Sequence, residues 1–210
     1  MHTTRLTITK TLAICGIFAG LTLALTLISL PLPTGHGYIH LGDIPVLLFP
    51  LLVCSKAWHV RAKAVKSTEC SVNAENVPPQ ATNSDNRLAR TPIFQTVAKF
   101  PVLLAPAIGG VLADLLMGYV VYAPATLVIK AGTSLLTALM VSVLPQRVRF
   151  LAPFIACLLI PSGYLGYELL LFGQIAFTNV PLNALQGLVG AVGAWGSFVA
   201  LRKVYVKREY

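Results

Sequence analysis

The sequence predicts an all-α integral membrane fold: six transmembrane helices with both termini cytoplasmic. Three observations carry that reading. The chain of 210 residues is 56% hydrophobic and only 11% charged, where soluble domains carry about 25% charge, and its mean hydropathy is +0.75. The apolar residues gather into six segments, at about 11–30, 42–55, 97–117, 125–144, 151–172 and 182–201, most of them near the ~20 residues that cross a bilayer. The basic residues alternate between the two sides of those segments, as set out below.

The first segment, 11–30, is longer than the ~7–15 residue core of a secretory signal and is followed by no Ala-x-Ala site, so it reads as a retained helix. It carries Gly16-x-x-x-Gly20-x-x-x-Ala24. Small residues four apart let another helix come close, either within this bundle or on a partner subunit. The second segment is short, and Pro45 and Pro50 weaken it; on length alone it suits a re-entrant piece. Residues 56–95 are polar, lack apolar periodicity and contain Pro78-Pro79, which reads as a flexible cytoplasmic loop. The third segment starts irregularly at Lys99-Phe100-Pro101. In the last, Gly187, Gly190, Ala191 and Ala194 form a small face suited to internal packing.

The net charge of +9 resembles a nucleic-acid signal until the basic residues are placed. Arg5 and Lys10 precede the first segment. Lys56, Arg61, Lys63, Lys66, Arg87, Arg90 and Lys99 lie between the second and third. Arg147 and Arg149 separate the fourth from the fifth, and Arg202, Lys203, Lys207 and Arg208 follow the sixth. The other connections, near 31–41, 118–124 and 173–181, hold no Lys or Arg. Six crossings with cytoplasmic termini put fifteen of the sixteen basic residues inside, the positive-inside pattern. The second segment must cross for this to hold, and no nucleic-acid partner is implied. Cys15, Cys54, Cys70 and Cys157 form no C-x-x-C pair, which supports neither a disulfide framework nor a zinc ribbon.

Polar groups inside the spans cluster at one depth. Asp43 opens the second segment. Asp114 lies four residues before Gly118, Lys130 six past Pro124, and Glu168 five before Gly173; Asn183 and Gln186 fall in the first turns of the last segment. At 1.5 Å per residue all sit within ~10 Å of the outer boundary. The inner halves contain almost no ionisable residue. Such asymmetry suits a ligand site open to the exterior, whereas an ion pathway strings ionisable groups across the whole thickness. No G-x-S-x-G, no H-E-x-x-H and no His inside a span supports a catalytic reading.

Each polar residue also has a plain structural role open to it. Asp43 suits the N-cap of its helix, with Pro45 in the first turn. Asp114 and Lys130 share a depth and suit a structural ion pair. Glu168 has no evident cationic partner other than Lys130, and Tyr164 lies one turn from it on the same face. Asn183 and Gln186, three apart, can enter one cavity or bond between helices. Tyr38, Tyr119, Tyr122 and Phe177 form either an interfacial belt or a stacking surface for a planar ligand. His36, His40 and Asp43 have loose metal-ligand spacing, but Gly35, Gly37 and Gly42 make the loop pliable, so no metal is expected. The stretch His36 to Leu41 then reads as a lid.

Three stretches together resemble a known family: Tyr38-Ile39-His40-Leu41-Gly42-Asp43; Gly109-x-x-x-Ala113-Asp114-Leu115-Leu116-x-Gly118-Tyr119; and Tyr122-Ala123-Pro124-x-Thr126-Leu127-Val128-Ile129-Lys130. They look like the substrate-binding S component of energy-coupling factor (ECF) transporters, nearest the riboflavin-type branch. Asn183-x-x-Gln186-Gly187-x-x-Gly190 is also similar, and the likeness covers nearly all the chain except 56–95. The resemblance implies a plasma-membrane protein of a prokaryote that captures a vitamin or vitamin precursor from outside. It would pass the ligand inward with a transmembrane coupling subunit and two ATP-binding subunits, binding no ATP and no cofactor itself. The family's helix 1 often docks through Ala-x-x-x-Ala; here Gly16, Gly20 and Ala24 would substitute.

The expected ligand-binding residues are therefore His40, Asp43, Tyr122, Lys130, Tyr164, Glu168, Asn183 and Gln186, with Asp114 and Lys130 as a structural pair. Two other functions remain open at this level. One is a stand-alone ion-coupled carrier, disfavoured by the bare inner half; the other is a non-transporting scaffold whose outer polar layer is purely structural.

Overall fold

The computed structural model describes residues 2–31, 38–54, 96–97 and 99–207, so the expected loop 56–95, His36 and Cys70 lie outside the described residues. The described chain is mostly helical. Helix α1 (His2–Leu27) leads into a short hairpin, β1 (Ser29–Pro31) and β2 (Tyr38–His40), and then α2 (Asp43–Cys54). After the gap come α3 (Phe100–Leu103), α4 (Ala105–Leu116) and α5 (Ala123–Val143). Helices α6 (Leu151–Ala156), α7 (Leu159–Phe172) and α8 (Val180–Lys207) complete it, with 3-10 turns at Gln146–Val148 and Gly173–Thr178.

Four stretches are long and apolar enough to cross a membrane: Thr9–Leu27, Ala123–Val143, Leu151–Thr178 and Val180–Lys203. Asp43–Cys54 and Phe100–Leu116 are apolar but shorter. The 12 residues of α2 rise roughly 18 Å, less than the ~30 Å of a hydrocarbon core. Large apolar side chains on the rim face outward, Leu12 and Ile17 on α1 and Leu170 on α7 among them, as a lipid-facing surface requires.

Proline explains the breaks. Pro106 and Pro161 cannot donate the backbone bond to the residue four before, and the ring crowds that carbonyl. The third and fifth apolar segments therefore split, at Leu104 and at Cys157-Leu158.

Helix α2 sits at the centre, packed on α1, α5 and α8, while α4 bridges α1 to α5 and α7 bridges α5 to α8. Its Val46, Leu47 and Phe49 are wholly buried. The core spreads from Leu47 and Leu51 to Ile129, Ile160, Ala191 and Ala194. A second cluster joins Phe49, Leu103, Ala105 and Ala138, with the Phe18 and Phe49 ring centres 4.5 Å apart. Glycine permits the closest crossings. A Cβ on Gly109 of α4 would stand 2.1 Å from the Ala19 carbonyl oxygen of α1, so the two backbones touch there.

The last part of the expected loop, Tyr38–His40, is a strand paired with the end of the first apolar segment, while Gly35 and Gly37 lie outside the described residues. Ser29 pairs with His40, Leu30 with Ile39 and Pro31 with Tyr38. Gly42 is also a close-approach glycine rather than a hinge, because a Cβ there would meet the Thr26 hydroxyl at 2.0 Å.

Candidate functional site

The polar residues expected at one depth converge on one pocket. Hairpin residues Tyr38 and His40 close one side of it; Asp114 of α4 and Tyr122 and Thr126 at the start of α5 form the next wall; Tyr164 and Glu168 of α7 and Asn183 and Gln186 of α8 complete it. The free volume between them is about 340 Å³, part of it open to solvent. As the side chains stand, the pocket has room for roughly one water molecule.

The Asp114–Lys130 ion pair expected from matching depths is not what forms. Lys130 Nζ lies 2.6 Å from Asp43 Oδ1, and both side chains are 2% exposed. Gln186 Nε2 donates to the other Asp43 oxygen at 2.6 Å. The physical reason is azimuth: the depth of a residue along its helix gives height but not direction. The central α2 presents Asp43 to Lys130, whose stem runs past α4 at Gly110, where a Cβ would meet Lys130 Cδ at 2.6 Å. The N-cap expectation for Asp43 falls with it. Asp43 is the first residue of α2, and its two oxygens accept from Lys130 and Gln186.

The pair stands behind the pocket, not in its wall. Gln186 links the two layers, accepting from the His40 backbone N–H at 3.1 Å while donating to Asp43. Both ends of its amide thus hold the hairpin to α2. His40 in turn accepts at Nδ1 from the Gly42 N–H at 3.0 Å. A neutral imidazole then carries its proton on Nε2. That nitrogen lies 3.5 Å from Lys130 Nζ, so two donors face each other and no useful hydrogen bond results. Burial first, and then the Lys130 charge, pull the His40 pKa down to about 3.

A pH dependence follows from His40. The group is neutral both folded and unfolded above its ordinary value of 6.5. Below that value the unfolded chain takes up a proton that the folded chain refuses, so stability falls as pH drops from about 6.5 toward 3. Thermal unfolding of the detergent-solubilised protein between pH 7.5 and 5.5 should show this loss, and His40→Asn should flatten it. An unchanged slope in that variant contradicts the assignment.

On the opposite wall, the Tyr122 hydroxyl donates to Glu168 Oε1 at 3.3 Å, and Asn179 Nδ2 donates to Oε2 at 2.9 Å. The Tyr164 hydroxyl shares a hydrogen bond with Thr126 Oγ1 at 3.0 Å. The Tyr38 hydroxyl donates to Asp114 Oδ1, and burial, then Asp114, push the Tyr38 pKa up. The tyrosines form a chain of rings. Tyr38 and Tyr119 centres are 4.7 Å apart, Tyr119 and Tyr122 6.3 Å, and Tyr122 and Tyr164 6.4 Å.

Of the eight expected ligand residues, six line this pocket: His40, Tyr122, Tyr164, Glu168, Asn183 and Gln186. Asp43 and Lys130 buttress it from behind. Sequence reasoning missed Thr126 and Asn179. Asn179 is 1% exposed and comes back to Glu168 because α7 ends at Gly173, whose φ is +65°, a left-handed turn that glycine adopts freely. Gly173 was the available signal, since a reversal there brings the following residues onto α7. Among the described residues no group of three His, Cys, Asp or Glu side chains could hold a metal ion.

No family model, curated protein or solved structure matches the chain.

Proposed function

We propose that this chain is the substrate-capture subunit of an ECF-type importer in a prokaryotic plasma membrane. It crosses six times, with both termini cytoplasmic, and takes a vitamin or vitamin precursor from the exterior. A transmembrane coupling subunit and two ATP-binding subunits then drive delivery inward. The observation that carries the reading is the pocket. Hairpin, α4, α5, α7 and α8 each send polar side chains to one small cavity at one end of the bundle. A scaffold has no need of such a cavity.

The topology rests on the charge alternation, which counts the short α2 as a crossing so that the basic residues of 56–99 fall on the cytoplasmic side. The partner reading draws on α1. Gly16, Gly20 and Ala24 are exposed, and nothing lies within 4 Å of a Cβ placed on either glycine. The bundle's own packing uses a different face of α1, through Ala19. This leaves the small-residue stripe available to a partner.

Two measurements test the proposal. Uptake of the ligand in cells lacking the coupling subunit should vanish, whereas a stand-alone carrier would keep it. Glu168→Gln and Asn183→Ala should each weaken ligand binding, by about tenfold for one lost hydrogen bond to a charged or buried partner, without blocking membrane insertion. Unchanged affinity in both variants would remove the pocket from the account.

A further inference from the structure

We propose that the pocket selects a small planar ligand bearing a positively charged nitrogen, such as an amidinium or a protonated aminoheterocycle. This rests on the capture reading above and names the chemistry of what is captured.

The charged side chains in the pocket wall are Asp114 and Glu168, both carboxylates beside a neutral His40. Lys130 is committed to Asp43 at 2.6 Å behind that wall. Among the described residues the lining therefore offers carboxylate acceptors and no Lys or Arg.

Asp114 decides the sign. It is 2% exposed, and the Tyr38 hydroxyl serves its Oδ1. Its Oδ2 is buried with no hydrogen-bond partner among the described residues. A buried acceptor left unpaired carries its full desolvation penalty, larger still for a charged group. A ligand N–H bearing positive charge would satisfy that oxygen in both hydrogen bonding and charge. Tyr122 and Asn179 donate to Glu168 and orient that carboxylate at the pocket.

The rings add to the same preference. The lining tyrosines Tyr38, Tyr122 and Tyr164 offer rings to which a planar cation is attracted by the ring quadrupole. An anion would meet two carboxyl groups, and a ligand without an N–H donor would leave Asp114 Oδ2 unpaired.

Three probes of equal size and different charge test this: benzamidine, benzamide and benzoate, added at pH 7 to the purified full-length protein in detergent and followed by thermal unfolding. Benzamidinium should stabilise the wild type with an apparent affinity at least about tenfold above benzamide, the size of one charge-assisted hydrogen bond, and benzoate should have no effect. Asp114→Asn should erase the preference for benzamidinium; if that variant does not fold, the wild-type ranking decides alone. Benzamide or benzoate matching benzamidinium, no effect from any of the three, or an undiminished preference in Asp114→Asn overturns the assignment. None of those results touches the capture reading, which is tested separately by uptake without the coupling subunit and by the Glu168 and Asn183 variants.

Discussion

Lys130→Met is expected to destabilise the protein by about 3–5 kcal/mol, because it leaves the Asp43 carboxylate buried without its cation. Both partners are 2% exposed and 2.6 Å apart, so little solvent is at hand to relieve the charge. Gln186 still donates to Asp43, but a neutral amide cannot replace an ammonium. The loss should spread beyond the pair. Asp43 anchors Gln186, Gln186 holds the His40 backbone, and His40 holds one side of the pocket. Combining Lys130→Met with Asp43→Asn should recover much of the stability, since it removes the stranded charge. The check is a double-mutant cycle by denaturant unfolding in mixed micelles. Additive losses would mean that the two residues do not act as a pair.

Gly109→Ala should cost about 1–3 kcal/mol through overpacking. The added carbon would stand 2.1 Å from the Ala19 carbonyl oxygen and 2.9 Å from its carbonyl carbon. Backbone cannot swing aside as a side-chain tip can, so α1 and α4 must separate. Because α4 carries Asp114, ligand binding should weaken along with stability. Gly20→Ala on the same α1 is the control: open space surrounds that position, and a helical glycine replaced by alanine gains rather than loses propensity. Its stability should match or slightly exceed wild type. Equal losses at both positions would mean that the crossing at Gly109 is not the cause.

Much of this architecture is legible in composition alone. A bilayer demands long apolar helices, so two segments match helices closely, 125–144 against Ala123–Val143 and 42–55 against Asp43–Cys54, while 11–30 overruns its helix into the strand Ser29–Pro31. The polar layer was legible because position along a helix converts directly to height. Hence Glu168, Tyr164 and Asn183, far apart in sequence, could be placed beside one cavity. Height does not convert to direction around the helix axis. That is why Lys130 was matched with Asp114 when α2, at the bundle centre, holds the nearer Asp43. Strands of three residues carry too little period-two signal to read, which hid the pairing of Ser29–Pro31 with Tyr38–His40. Asn179 was hidden for a third reason: its bond to Glu168 depends on the turn at Gly173, and a tertiary reversal leaves no periodic trace.

The account's central claim is that this pocket holds a small molecule taken from the exterior. The most direct measurement is mass spectrometry of what co-purifies with the full-length protein from cells, compared with what co-purifies with Asn183→Ala. The account predicts one small molecule, near one per chain, bound to the wild type and largely lost from the variant. A wild type that carries nothing even when cells are fed a complete vitamin mixture, or a variant that carries the same molecule in the same amount, would contradict it.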